Sequence, residues 1–131
     1  MRIVLDTNVI VAAFAARGLC AEVFEVCASN HTLVISEHIL AEVNKAFLRK
    51  VKLPEEIVRE VIGYLRDIAE TVKPEQVDNS ACRDKHDLPV LGTATKGNVD
   101  FIVTGDADLL TLKSYRGVDI ITPRELWNRL R

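Results

Sequence analysis

The sequence predicts an α/β fold in three layers, α/β/α, around a central, mainly parallel sheet of four to five strands. Short runs of β-type apolar residues alternate with stretches of helical period from one end of the chain to the other. Those runs are apolar at nearly every position, as in strands covered on both faces, and not at every second position. The 131 residues suit one domain, 1–131, whose core needs neither disulfides nor a structural metal.

In chain order, Ile3-Val4-Leu5 is the first strand, and the segments from Asn8 to about Ala16 and from Ala21 to Ala28 follow as helices with apolar faces. Thr32-Leu33-Val34-Ile35 is the second strand. Ser36 is placed to cap a helix carrying Ile39, Leu40, Val43, Ala46 and Phe47 at helical spacing. Pro54, followed by Glu55 and Glu56, opens a long helix to about Thr71, since proline and acids suit a first turn. The polar stretch from Pro74 to Arg83 is a loop. A helix from about Leu88 to Thr95 closes at Lys96-Gly97-Asn98, with Gly97 expected in the left-handed conformation. Phe101 to Thr104 is the third strand, Ala107 to Leu112 a short helix and Val118 to Ile121 the fourth strand. Pro123 begins a last helix with Leu126, Trp127 and Leu130.

Composition narrows the function less than the pattern does. Seventeen basic residues against nineteen acidic ones give a net charge of −2, which does not advertise nucleic-acid binding. If several acids share one pocket, however, the remaining surface is net basic, and Lys45, Arg49, Lys50 and Lys52 form a local run. The same cations also suit a solvated helix end. No apolar run is long enough for a membrane span or a signal peptide, so a cytoplasmic location is expected. Cys20, Cys27 and Cys82 lack the spacing of zinc or redox motifs. Cys20 and Cys27, seven apart on one helix, are expected as small core residues.

In a parallel sheet, ligands bind at the carboxyl ends of the strands. Asp6 follows the first strand and Asp106 the third; Asp87 stands just before a helix, with Asp84 three residues upstream; Glu42 lies at the edge of an apolar stripe, one turn beyond His38, where its carboxylate is expected to be partly desolvated. Each has a structural alternative: Asp6, Asp87, Asp84 and Asp106 as helix caps, and Glu42 as an edge residue with its oxygens in water. Their convergence on one end of the sheet favours a shared metal. Clustered carboxylates oppose one another's ionisation unless a cation intervenes, and an all-oxygen set suits Mg²⁺ or Mn²⁺ over zinc. Such a site fits hydrolysis of a phosphodiester by a metal-activated water. No nucleophile triad, Walker loop or dinucleotide fingerprint is present.

Ile3-Val4-Leu5-Asp6-Thr7-Asn8-Val9, Ser36 with Glu42, Asp87 ahead of Ala94, Ile102-Val103-Thr104-Gly105-Asp106-Ala107-Asp108-Leu109-Leu110 and Ile121-Thr122-Pro123 together resemble the PIN-domain proteins, in particular the VapC-like toxins of toxin-antitoxin systems. The resemblance runs over almost the whole chain. It implies that Asp6, Glu42, Asp87 and Asp106 are the catalytic and metal-binding acids, and that Asn8, Thr104 and Asp108 support them. It further implies an endoribonuclease leaving a 5′-phosphate, an RNA substrate, a homodimer and a cognate antitoxin. Relatives often carry a richer acidic run where this chain reads Asp84-Lys85-His86-Asp87-Leu88-Pro89. That keeps Asp84 as an alternative third ligand, although the seven-residue offset from Asp87 to Ala94 matches the usual spacing.

Two other classes compete. A PIN-shaped module without catalysis would bind RNA or a partner, but all four acids are present. A receiver-like phosphoacceptor domain needs an acidic pair near the first strand and a lysine after the last, where this chain has only Asp6 and Thr122-Pro123.

Overall fold

The computed structural model describes residues 1–130. Six strands form one sheet: β1 (Arg2–Leu5), β2 (Thr32–Ile35), β3 (Glu70–Thr71), β4 (Phe101–Val103), β5 (Ser114–Tyr115) and β6 (Val118–Ile121), in the order β3-β2-β1-β4-β6-β5. All neighbours pair in parallel except β5 with β6. Ile3, Val4 and Leu5 are buried in succession, as are Phe101, Ile102 and Val103. Because alternate side chains point to opposite faces, the central strands are covered on both sides.

The sheet has more strands than the four to five expected, and the two additional ones lie at its edges. β3 occupies part of the stretch assigned to the long helix, which ends at Ile68 instead of continuing to Thr71; Glu70 and Thr71 pair with Val34 and Ile35. β5 and β6 form a hairpin through Arg116 and Gly117, both at positive φ (48° and 81°). Two such residues in succession are what a tight hairpin turn of the hand matching strand twist demands, and glycine meets the demand at the second.

The helices are α1 (Thr7–Ala15), α2 (Leu19–Asn30), α3 (Glu37–Arg49), α4 (Glu55–Ile68), α5 (Leu88–Lys96), α6 (Ala107–Leu112) and α7 (Pro123–Leu130). A 3-10 turn, Lys85–Asp87, leads into α5. Gly97 is not left-handed (φ −80°); Asn98 takes that role at φ 49°, one residue later. Asparagine tolerates the conformation, while Gly97 is needed for space, since a Cβ there would meet Val34 at 2.6 Å. Gly92, inside α5, is tighter still. Its carbonyl accepts from Glu75 N–H at 3.1 Å, and a Cβ would come within 2.2 Å of the Glu75 oxygen. Of the two helical cysteines, Cys27 is buried as expected, whereas Cys20 is only partly so, packed at the margin of the core.

From β1 the chain moves outward to β2 and β3, then returns to β4 on the other side of β1. Crossovers of one hand place helices on opposite faces for these two directions. The carboxyl ends of β1 and β4 therefore flank a switch point, where a crevice opens.

Candidate active site

Asp6 and Thr104 stand side by side at that switch point. Asp6 caps α1, its Oδ1 accepting from Thr7 N–H at 2.8 Å, while Oδ2 accepts the Thr104 hydroxyl at 2.7 Å. The Asp6 residue is only 7% exposed. Burial raises its pKa; the hydrogen bonds from Thr104 and Thr7 oppose the rise, and the charges of Asp106 and Glu42 add to it.

Thr104 works in two directions. Its hydroxyl donates to Asp6 and accepts the Asp106 N–H at 2.9 Å. Asp106 in turn caps α6 by accepting from Leu109 N–H at 3.0 Å. The cap and the cluster are thus not alternatives, because one carboxylate has enough lone pairs for both.

Asp87 ends the 3-10 turn and precedes α5 without making a capping bond. Burial first, then the nearby Asp106 carboxyl and the charges of Asp106, Asp6 and Asp84, push its pKa up to about 7. Glu42 reaches the same place from α3, close enough for its charge to act on Asp6, although it is exposed and not partly desolvated as its place on the helix suggested. The stripe of α3 that packs on the core stops at Val43 and Ala46, leaving Glu42 outside it. Asp6, Glu42, Asp87 and Asp106 line one open cleft of about 460 Å³.

The supporting residues divide. Asn8 and Asp84 line the cleft, and Asp84 caps the 3-10 turn through His86 N–H at 2.9 Å. Asp84, Asp87 and Asp108 each bring one carboxylate oxygen within 4.8 Å of the others. Asp87 is thus close both to Asp6 and Asp106 and to Asp84 and Asp108. Asp84 stands beside it as the alternative third ligand.

Sequence reasoning missed the link beneath the acids. The buried hydroxyls of Ser36 and Thr93 hydrogen-bond to each other at 2.8 Å, joining α3, which carries Glu42, to α5, which follows Asp87. Asp6, Ser36, Thr93 and Thr104 are the buried polar residues of the described chain, and each sits at this end of the sheet. A threonine inside a mostly apolar helix gives no signal of a partner 57 residues away. Cys82, which lacks the spacing of any zinc or redox motif, is buried with its Sγ 3.9 Å from Asp87 Oδ2.

Among the described residues no salt bridge reaches these acids. The cluster has only oxygen donors to offer and no cation of its own, which fits a hard divalent ion.

A family model described as PIN domain matches residues 2–108. No curated protein matches the chain. Among solved structures, a chain in the crystal structure of VapBC2 from Rickettsia felis bound to a DNA fragment from their promoter superimposes with a TM-score of 0.63 at 16% identity, over 93% of this chain and 98% of that one. The two share a fold, and the sequence match decides the rest: this chain belongs to the PIN-domain family, whose members are generally nucleases.

Proposed function

We propose that the chain is an endoribonuclease that hydrolyses RNA phosphodiester bonds with Mg²⁺ or Mn²⁺ held by Asp6, Glu42, Asp87 and Asp106. The observation that carries this reading is the convergence of four acids from four elements in one cleft, with the Asp87 pKa displaced to about 7. Evolution of a stable fold alone would not retain such repulsion.

When bound, the ion would lower the pKa of a water, orient it and offset charge on the attacked phosphate. The chain's own residues do the remaining work. Thr7 N–H and Thr104 fix both oxygens of Asp6, so that its position is set before any ligand arrives. Thr104 and Leu109 N–H do the same for Asp106 from two directions. Glu42, exposed on α3, completes the set, and the open cleft lets the proton of the attacking water pass to solvent. Attack on phosphorus breaks the bond to the 3′-oxygen, which takes up a proton, and leaves a 5′-phosphate.

The toxin role, a cognate antitoxin and a homodimer belong to the same proposal. The toxin role and the antitoxin are supported by the sequence resemblance and by the likeness of fold to VapBC2; the homodimer rests on the sequence resemblance alone. No helix among the described residues is long and apolar enough to cross a membrane, in keeping with work on RNA in the cytoplasm.

Purified protein with Mn²⁺ or Mg²⁺ should cut single-stranded RNA, and Asp6→Asn should not. Equal cleavage by both, or none by either across a range of RNAs, removes the proposal and leaves a PIN-shaped binding module. A matching Asp84→Asn and Asp87→Asn pair, with Mn²⁺ affinity read by calorimetry, tests the third ligand: Asp87→Asn should lose more.

A further inference from the structure

One wall of the cleft carries cations that the acid chemistry does not use. His38, Glu42, Lys45 and Arg49 fall on one face of α3, at offsets of four, seven and eleven residues, and all four line the cleft together with Lys50, which follows the helix. Lys45, Arg49 and Lys50 are exposed, and among the described residues none of them makes a salt bridge. They are also the cleft's lysine and arginine lining, all three supplied by α3 and the residue that follows it, while the segment Asp84–Asp87 contributes only acids and His86. At 1.5 Å of rise per residue, Arg49 stands about 10 Å along the helix axis from Glu42, a distance that spans neighbouring phosphates of a single strand.

We infer that Lys45, Arg49 and Lys50 form a one-sided track for the RNA backbone, gripping phosphates on one side of the scissile bond and leaving the other side unheld. This rests on the nuclease reading and extends it to how substrate is held. A cleft lined by carboxylates repels a polyanion, so approach requires flanking positive charge. α3 supplies both, with its acid in mid-helix and its cations in the last turns. Cations at a helix carboxyl end also complement the macrodipole, but that role acts on stability and leaves substrate affinity and its salt dependence unchanged.

The test compares wild type, Lys45→Gln/Arg49→Gln/Lys50→Gln and the control Lys73→Gln, an exposed lysine outside the cleft, on an unstructured RNA 12-mer with Mn²⁺. The triple variant should raise KM roughly tenfold to a hundredfold and lower the slope of log affinity against log salt by about 2, as expected for three phosphate contacts to a single strand. Its kcat and melting temperature should stay near wild type, Lys73→Gln should change nothing, and Lys45→Arg/Lys50→Arg should restore the wild-type KM. Trimming the RNA from one end should weaken wild type far more than trimming from the other, and the triple variant should lose that difference. An unchanged KM and salt slope in an otherwise active triple variant, or equal sensitivity to trimming at both ends, overturns the track and leaves the nuclease standing. If wild type cuts no RNA, the nuclease reading fails, and anisotropy with labelled 12-mer decides the track separately: salt-sensitive binding lost in the triple variant sustains it, and absence of binding overturns it.

Discussion

The two ends of the sheet handle charge in opposite ways. At the amino ends of the strands, the Arg2 guanidinium contacts Glu70 and the Gly97 carbonyl, and Arg2 N–H donates to Asp100. At the carboxyl ends, Asp6, Asp87 and Asp106 meet neutral hydroxyls, N–H groups and one another. Matched charge at the first end closes a fold. Unmatched charge at the second costs stability and is retained where a ligand completes it. A charge's partner is thus more informative than its presence.

Breaking the unmatched end should have the largest consequence. Asp6→Asn or Asp106→Asn is expected to reduce RNA cleavage on the order of 100-fold or more, with the fold retained by circular dichroism. Residual activity near wild type in either variant would contradict the ligand assignment. Thr104→Val comes next. It strips one hydrogen bond from Asp6 and one from the Asp106 N–H, so activity or Mn²⁺ affinity should fall roughly 10- to 100-fold, and stability by about 1–3 kcal/mol in urea unfolding.

A smaller effect sharpens the contrast by pH. The folded pKa of Asp87, about 7, lies above the ordinary 3.8, and that of Asp6 is raised as well. Between those values the unfolded chain has released protons that the folded chain keeps, so metal-free stability should fall as pH rises through the window and level off above about pH 7. Mn²⁺ displaces the protons and should flatten that slope, binding more tightly as pH rises toward 7. A metal-free melting temperature that climbs from pH 5 to 7 would contradict the repulsion. At the matched end, Glu70→Gln should change stability by no more than about 1 kcal/mol, since its ion pair with Arg2 is exposed, and should leave cleavage untouched.

The sequence disclosed much of this arrangement because its strongest signals are local. Ile3-Val4-Leu5 and Phe101-Ile102-Val103 are legible as doubly covered strands from residue type alone, and Asp6 and Asp106 from their place after them. The edge strands were illegible for a physical reason: Glu70-Thr71 and Ser114-Tyr115 are two residues long, too short for any period, and exist by pairing with a neighbour. Glu42 lines the cleft with the other acids, but its exposure depends on where α3 leaves the core. The Ser36–Thr93 bond and the grouping of Asp84, Asp87 and Asp108 are products of tertiary geometry. Likewise, the run of lysines and arginine after Glu42 was visible, whereas the cleft they share with the acids was not.

Gly92 gives the site a vulnerability that has nothing to do with catalysis. Its backbone touches that of Glu75 so closely that an alanine cannot be seated without moving α5 or the strand of chain against it, and Asp87 sits one residue before that helix begins. A screen for loss of the proposed cleavage should therefore recover lesions at Gly92 beside those at the acids. The map of inactivating alleles would extend into the interior of a helix that contributes no reacting atom, and a geneticist without the structure would credit a glycine with chemistry that belongs to its neighbours.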